Sequence, residues 1–278
     1  MSFILPDAEL DRFLGEDAPY GDLTSRAAGL ASQPGRMRFT ARGAMVVCCA
    51  EEAARLIERS GGRLESVVPS GTVCAAGAQI LEASGPAAAL LVSWKVAQTL
   101  VENASGIASA AAAILAAARA VRPGIVVACT RKTLPGTRAI AVKAVLAGGA
   151  TPHRLGLSDS VLLFAEHRAF FPDDPFAGPI ARLKAACPEQ RVVVEVTSLV
   201  DALAAAAVGA DVIQLEKFSP EQVAEVVRQI GGRCVIAAAG GVTADNAAAY
   251  AEAGADVLVT SSPYWAKPRD VAVILGPA

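Results

Sequence analysis

Aromatic residues make up only 5% of this 278-residue chain, which has just two histidines, two tryptophans and three methionines. A core so poor in large rings must be filled by small aliphatic side chains, and Ala and Val supply much of the 53% hydrophobic share. That composition suits helices packed closely on a sheet. Strong charge of either sign is also lacking. A net charge of -2 excludes general attraction to nucleic acid. The six cysteines contain no CxxC spacing, which excludes a zinc-ribbon or thioredoxin-type motif. Adjacent Cys48 and Cys49 are not expected to face one core from a strand, where side chains alternate. No Leu-rich run reaches membrane-spanning length. The Ala-rich stretch 104–121 is interrupted by Ser and Gly, so a buried or interfacial helix is expected there, with no membrane role. The start Met1-Ser2-Phe3 has no leader pattern, and a cytoplasmic setting with reduced thiols is the expectation.

What the chain has in abundance is order among short segments. The first hundred residues mix short apolar runs, such as Met45–Cys49 and Ile80-Leu81, with Gly and Pro turns, which predicts an α+β unit. Helical spacing covers 51–59. From about residue 109 the texture changes. Apolar strands are predicted at 125–129, 161–164, 192–196, 212–215, 234–238 and 257–260. Helices are predicted between them at 138–146, 199–208, 220–230 and 244–253. Repeated β-then-α order with continuously apolar strands indicates a parallel sheet covered by helices. The link Gly-Ala-Asp-Val occurs twice, at 209–212 and 254–257. Polar residues recur after every strand, which favours a barrel over an open doubly wound sheet.

Those polar residues carry the chemistry. The segment Thr130-Arg131-Lys132-Thr133-Leu134-Pro135-Gly136-Thr137-Arg138 concentrates cations just past a buried strand, and His153-Arg154 follows Gly148-Gly149. Such a density of cations implies a multiply anionic ligand. Later strands end in Glu195, Glu216-Lys217, Gly240-Gly241 and Ser261-Ser262. Cations on one arc, carboxylates on another and small residues on the rest suit a phosphate or carboxylate ligand with a divalent cation. Gly240-Gly241, followed by Val242-Thr243 at an expected helix start, is positioned to offer amides to a phosphate, and Ser261-Ser262 to add hydroxyls. A plain turn, a paired structural carboxylate at Glu195 and a capping role for His153 are the blander readings. His167 is expected to be structural.

At these residues the chain resembles the quinolinate phosphoribosyltransferase family, and within it the ModD-type branch associated with molybdate transport. The resemblance is carried by Glu16-Asp17 with Gly21-Asp22-Leu23-Thr24, by Ser105-Gly106-Ile107-Ala108-Ser109, and above all by the Thr130–Arg138 segment. Gly148-Gly149 and His153-Arg154-Leu155-Gly156-Leu157-Ser158-Asp159 complete it. It implies the fold of type II phosphoribosyltransferases: an incomplete (β/α) barrel, residues 109–265, preceded by an α/β sandwich, residues 1–108, that 266–278 rejoins. It further implies a homodimer or higher homo-oligomer in which Lys95 reaches the partner's site. The reaction implied is Mg²⁺-assisted phosphoribosyl transfer from phosphoribosyl pyrophosphate to a small acid. Lys132, Glu195 and Glu216 become the catalytic candidates, with both glutamates holding the metal. Lys95, Arg131, Arg138, His153, Arg154, Gly240, Gly241, Ser261 and Ser262 become the substrate-binding candidates.

Several positions depart from the family pattern. Lys95 stands where the family has Arg, Phe164 where it has Lys, and Glu216-Lys217 where it has Asp-Asn. Ala237-Ala238-Ala239-Gly240 replaces Glu-x-Ser-Gly, and Ser261 replaces Gly. A site with fewer rigid cations is expected to hold a pyridine dicarboxylate less well. A transferase with an altered acid acceptor is therefore the leading expectation. A true quinolinate phosphoribosyltransferase of NAD synthesis and a catalytically weak anion- or nucleotide-binding protein are the alternatives.

Overall fold

The computed structural model describes residues 4–278. Met1–Ala112, Thr133–Gly149 and Pro263–Ala278 form one compact unit, and Ala113–Lys132 with Ala150–Ser262 form a second. In chain order the first half runs α1 (Asp7–Asp17), α2 (Leu23–Ala27), β1 (Pro34–Ala41), β2 (Met45–Val46) and α3 (Ala50–Arg59). It continues through β3 (Arg63–Val67), β4 (Val73–Cys74) and β5 (Gln79–Pro86) to α4 (Ala87–Arg119). Then come β6 (Val126–Cys129), α5 (Arg138–Ala147), β7 (Thr151–Pro152), β8 (Val161–Leu163), α6 (Ala165–Arg168), α7 (Ala177–Ala186) and β9 (Val192–Val196). The remainder is α8 (Leu199–Ala207), β10 (Val212–Glu216), α9 (Pro220–Ile230), β11 (Val235–Ala239), α10 (Ala247–Glu252), β12 (Val257–Thr260) and β13 (Val271–Pro277).

In the first unit, strands pair antiparallel in the order β13-β1-β5-β3. Strand β1 alternates exposed and buried residues, so Met37, Phe39 and Ala41 enter the core together. The same core takes Leu56 and Ile57 from α3 and Leu90, Ala97, Val101 and Ala104 from α4. Helix α4 begins at Ala87, well before the predicted 104, because Pro86 ends β5 and can sit at a helix threshold without a missing donor. The run Leu90–Val92 is therefore helical. Contrary to the expectation, α4 is long and apolar enough to cross a membrane, but 56% of its most apolar window is buried inside the protein, as in a core helix. Cys48 and Cys49 are both fully buried, against the alternation argument. Cys49 adopts φ of 61°, which ends the extended backbone and turns the second thiol back beside the first. All six cysteines are unbridged.

The second unit is a seven-stranded parallel sheet in the order β7-β6-β12-β11-β10-β9-β8. The edge strands β7 and β8 do not pair with each other, which leaves the barrel incomplete. Its outer face is aliphatic: Val127, Val194, Ile213, Leu215, Ile236 and Leu258 are all buried. The twice-repeated Asp ties neighbouring strands at their N-terminal ends. Asp211 accepts from the Val192 amide and Asp256 from the Ile236 amide, each at 2.8 Å. That end is built for stability, which leaves the C-terminal end for chemistry. The expected division at residue 108 falls inside α4, and Thr133–Gly149 clusters with the first unit.

Candidate active site

Within the second unit the C-terminal ends of the strands carry Glu195 and Glu216, and the segments beyond them carry Arg131, Lys132, His153, Arg154, Gly240, Gly241, Ser261 and Ser262. Parallel strands in register explain this convergence. Every second residue of each strand faces inward, so Glu195 of β9, Gln214 of β10 and Ala237 of β11 lie side by side. Ala128, Ala237, Ala239 and Val259 form a small-residue cluster on that inner face.

The cationic arc is only partly as expected. Arg154 is 8% exposed, and its guanidinium lies 5.4 Å from the Phe164 ring centroid. Among the described residues no carboxylate comes within ion-pair distance of it. Burial, and then the nearby Arg131 charge, lower its pKa, while Asp159 opposes the shift. His153 does not add a fixed cation. Burial and then the Arg154 charge lower its pKa, so it is neutral over a wider range than a free imidazole. Its amide donates to the Cys129 carbonyl at 2.7 Å, anchoring it beside β6. Phe164, at the lost cation position, stacks on His167 with ring centroids 5.7 Å apart. His167 Nδ1 accepts from the Phe164 amide at 3.1 Å and so closes the start of α6.

The carboxylate arc is electrostatically strained. Burial, and then the Glu216 charge, raise the Glu195 pKa above the ordinary carboxylate range. Glu166 pushes the same way, whereas the Gln214 hydrogen bond and the Lys132 charge oppose it. Lys132 thus acts on Glu195 electrostatically, while its own amide accepts no ligand role: it donates to Thr130 Oγ1 at 3.2 Å. Gln214 and Glu166 both act on Glu195, and neither was among the candidates read from the sequence. A signal for Gln214 was present, since it is a polar residue two before Glu216 in an otherwise apolar strand and so shares its face.

On the small-residue arc, Gly240 and Gly241 have φ of 83° and 93°. A Cβ at Gly240 would sit 2.7 Å from Lys217 Cγ, 2.8 Å from the Lys217 nitrogen and 2.9 Å from Glu216 Oε1. Gly240→Ala is therefore expected to cost about 1–3 kcal/mol of stability, because Lys217 is itself held at φ of 61°. An unchanged unfolding midpoint would show that this close approach is dispensable. The expected helix start at Val242-Thr243 is not present. The Thr243 amide instead donates to Asn246 Oδ1 at 2.8 Å in a turn, and α10 begins at Ala247. Ser262 is also committed elsewhere, since its hydroxyl meets Thr260 Oγ1 and the Val242 carbonyl, each at 3.0 Å. Ser261 keeps its hydroxyl out of any such network among the described residues.

Lys95 and Arg138 belong to the first unit. Lys95 Nζ lies 3.9 Å from the Trp94 ring centroid and donates to Gln98 Oε1 at 2.9 Å. With Glu16, Asp17, Asn103 and Trp265 it lines a cavity of about 610 Å³. Arg138 is exposed at the first residue of α5.

Comparison with known proteins identifies the family. The C-terminal domain of quinolinate phosphoribosyl transferase matches residues 107–273, and its N-terminal domain matches residues 22–105. A protein named as pyrophosphorylase ModD from Rhodobacter capsulatus is 56% identical over 248 residues, covering 88% of this chain and 96% of the relative. The human nicotinate-nucleotide pyrophosphorylase [carboxylating] is 31% identical over 265 residues, covering 93% and 88%. The crystal structure of NadC from Streptococcus pyogenes superposes with a TM-score of 0.90 at 29% identity, covering 98% of this chain and 96% of its own. The chain therefore belongs to the quinolinate phosphoribosyltransferase family, a family of pentosyltransferases, and is ModD-like within it.

Proposed function

We propose that the protein transfers a 5-phosphoribosyl group from phosphoribosyl pyrophosphate to an acid acceptor other than quinolinate, assisted by Mg²⁺. The observation that carries this reading is Arg154, a buried guanidinium stacked over Phe164 with no carboxylate partner among the described residues. A buried charge is costly unless something satisfies it, and the anionic groups of a substrate would do so. Phe164 in place of a second cation supports an acceptor with less negative charge than a dicarboxylate.

The reaction breaks the ribosyl C1–oxygen bond to pyrophosphate and forms a bond from C1 to the acceptor's nucleophilic atom. Positive charge develops at C1, and Glu195 and Glu216 would stabilise it. Arg131, Arg154 and Lys132 hold anionic oxygens and fix the geometry of displacement. Neutral His153 is suited to donate or accept a hydrogen bond rather than to add charge.

The residues fit the metal in a limited way. No group of three or more His, Cys, Asp or Glu among the described residues could hold an ion unaided. Glu195 and Glu216 are the residues that would hold it, and its charge would relieve their mutual repulsion. Mg²⁺, when bound, supplies charge neutralisation for the departing pyrophosphate.

The test is pyrophosphate release from phosphoribosyl pyrophosphate with Mg²⁺, screened over pyridine, purine and pterin acids. Release with one of these, and slow or absent release with quinolinate, is the expected result. Quinolinate turnover at an ordinary enzymic rate would overturn the acceptor proposal in favour of the carboxylating pyrophosphorylase activity named for the human relative. Tight donor binding with no turnover on any acid would overturn the transferase reading. It would leave an anion-binding protein, consistent with the alanines of β11.

A further inference from the structure

We infer that Gln214 forms a hydrogen-bond-accepting subsite on the inner face of the half-barrel, receiving a hydroxyl or N–H group of the substrate. The inference rests on reading this face as a transferase centre and specifies what that centre recognises.

Gln214 sits in the middle of β10, in register with Glu195 on one side and Ala237 on the other. It is 5% exposed. Its Nε2 donates to Glu195 Oε2 at 2.7 Å, whereas its Oε1 is buried with no hydrogen-bond partner among the described residues. A buried amide oxygen left unpaired is among the more expensive features a fold can retain. With Glu195 ionised the amide is held in this orientation, because swapping its ends would set its oxygen against the carboxylate. Glu195 therefore fixes the orientation in which the acceptor atom is presented.

No donor among the described residues answers Oε1. The inner-face cluster beside it is Ala128, Ala237, Ala239 and Val259, which carry no polar side-chain atoms. An acceptor without donors around it selects a ligand group that brings its own proton. Two parts of the reaction could bring one: a ribose hydroxyl of the phosphoribosyl donor, or an N–H of the acceptor acid. A pyridine carboxylate with no N–H could not use the subsite from the acceptor side.

The experiment compares wild type with Gln214→Met and Gln214→Leu, two uncharged substitutions, so that one misfolded variant does not end the test. Calorimetry with Mg²⁺ measures binding of phosphoribosyl pyrophosphate and, separately, of inorganic pyrophosphate, which has no sugar hydroxyl. A loss of about tenfold for the former, with pyrophosphate binding retained, supports the subsite and assigns it to the ribose. Retained donor binding with about a tenfold loss of turnover on acids bearing N–H, and none on acids lacking it, supports the subsite and assigns it to the acceptor. Unchanged binding and turnover would overturn the inference. Equal weakening of both ligands would also overturn it, since Gln214 would then only orient Glu195. Failure of the wild-type protein to bind either ligand is a separate outcome: it removes the transferase reading itself and the subsite with it.

Discussion

Replacing Lys143 with methionine is expected to cost about 3–5 kcal/mol of stability, a fall of roughly 6–15 °C in unfolding temperature for a chain of this size. Lys143 is 7% exposed on α5. Its Nζ lies 2.5 and 2.7 Å from the two oxygens of Glu52, which is fully buried, and 3.3 Å from Glu51 Oε2. Glu51 is held in turn by the Ser70 amide at 2.7 Å and the Ser70 hydroxyl at 2.6 Å. The cluster ties α5 to α3 inside the first unit. Truncating the lysine leaves a buried carboxylate without its counter-charge, which costs far more than the pair contributes over an apolar substitute. Lys143→Met with Glu52→Leu should therefore recover most of the loss. Burial lowers the Lys143 pKa, but Glu52, with smaller help from Glu51 and Cys49, leaves it raised. A lysine whose folded pKa lies above its unfolded value contributes stability that is complete below the unfolded value. That contribution fades only as pH rises through the folded one. The deficit of the single variant should accordingly be full at neutral pH. Thermal unfolding of both variants checks this; a single-variant loss below 1 kcal/mol would refute it.

That cluster was hidden in the sequence, while much of the barrel was legible. Strands 192–196 and 257–260 and helix 220–230 have the predicted limits, because buried parallel strands are continuously apolar and Ser219 caps α9 with Pro220 behind it. The strand-end location of the polar residues followed from the same βα order. What the pattern could not supply was pairing between distant segments. Lys143 and Glu52 are 91 residues apart, and each looks like an ordinary surface charge on a helix. The two-residue strand β7 has no periodicity to detect, and its place beside β6 is set by register alone. Ser262 and Thr243 looked available because hydroxyls and amides after strands often are. Here Val242 and Asn246 consume them. Gln214 escaped notice for the opposite reason: a lone amide in an apolar strand matched no motif, and only its neighbours on β9 and β11 give it meaning.

Arg154 is as deeply buried as Lys143, yet the opposite outcome is expected for Arg154→Met. Lys143 has its counter-charges within the protein. Arg154 has an aromatic face, a like charge at Arg131 and only an indirect pull from Asp159. Its pKa is lowered, so its charge costs the folded state free energy, and that cost persists at neutral pH because the arginine stays protonated there. Removing the charge should leave the unfolding temperature unchanged or slightly higher. Methionine keeps most of the apolar contact with Phe164 and loses the guanidinium donors. Affinity for an anionic substrate should then drop about 10²–10³-fold, the loss expected when one member of a buried charge-assisted pair is removed. Ligand linkage gives the check. Pyrophosphate with Mg²⁺ should raise the unfolding temperature of the wild-type protein and should raise that of Arg154→Met little or not at all. Destabilisation of the apoprotein by Arg154→Met, or an undiminished shift on adding pyrophosphate, would place Arg154 among the structural cations with Lys143. The contrast between these two residues turns on where the opposite charge resides: a buried cation answered by its own protein supports the fold, and on the proposed function the one left unanswered takes its counter-charge from a ligand.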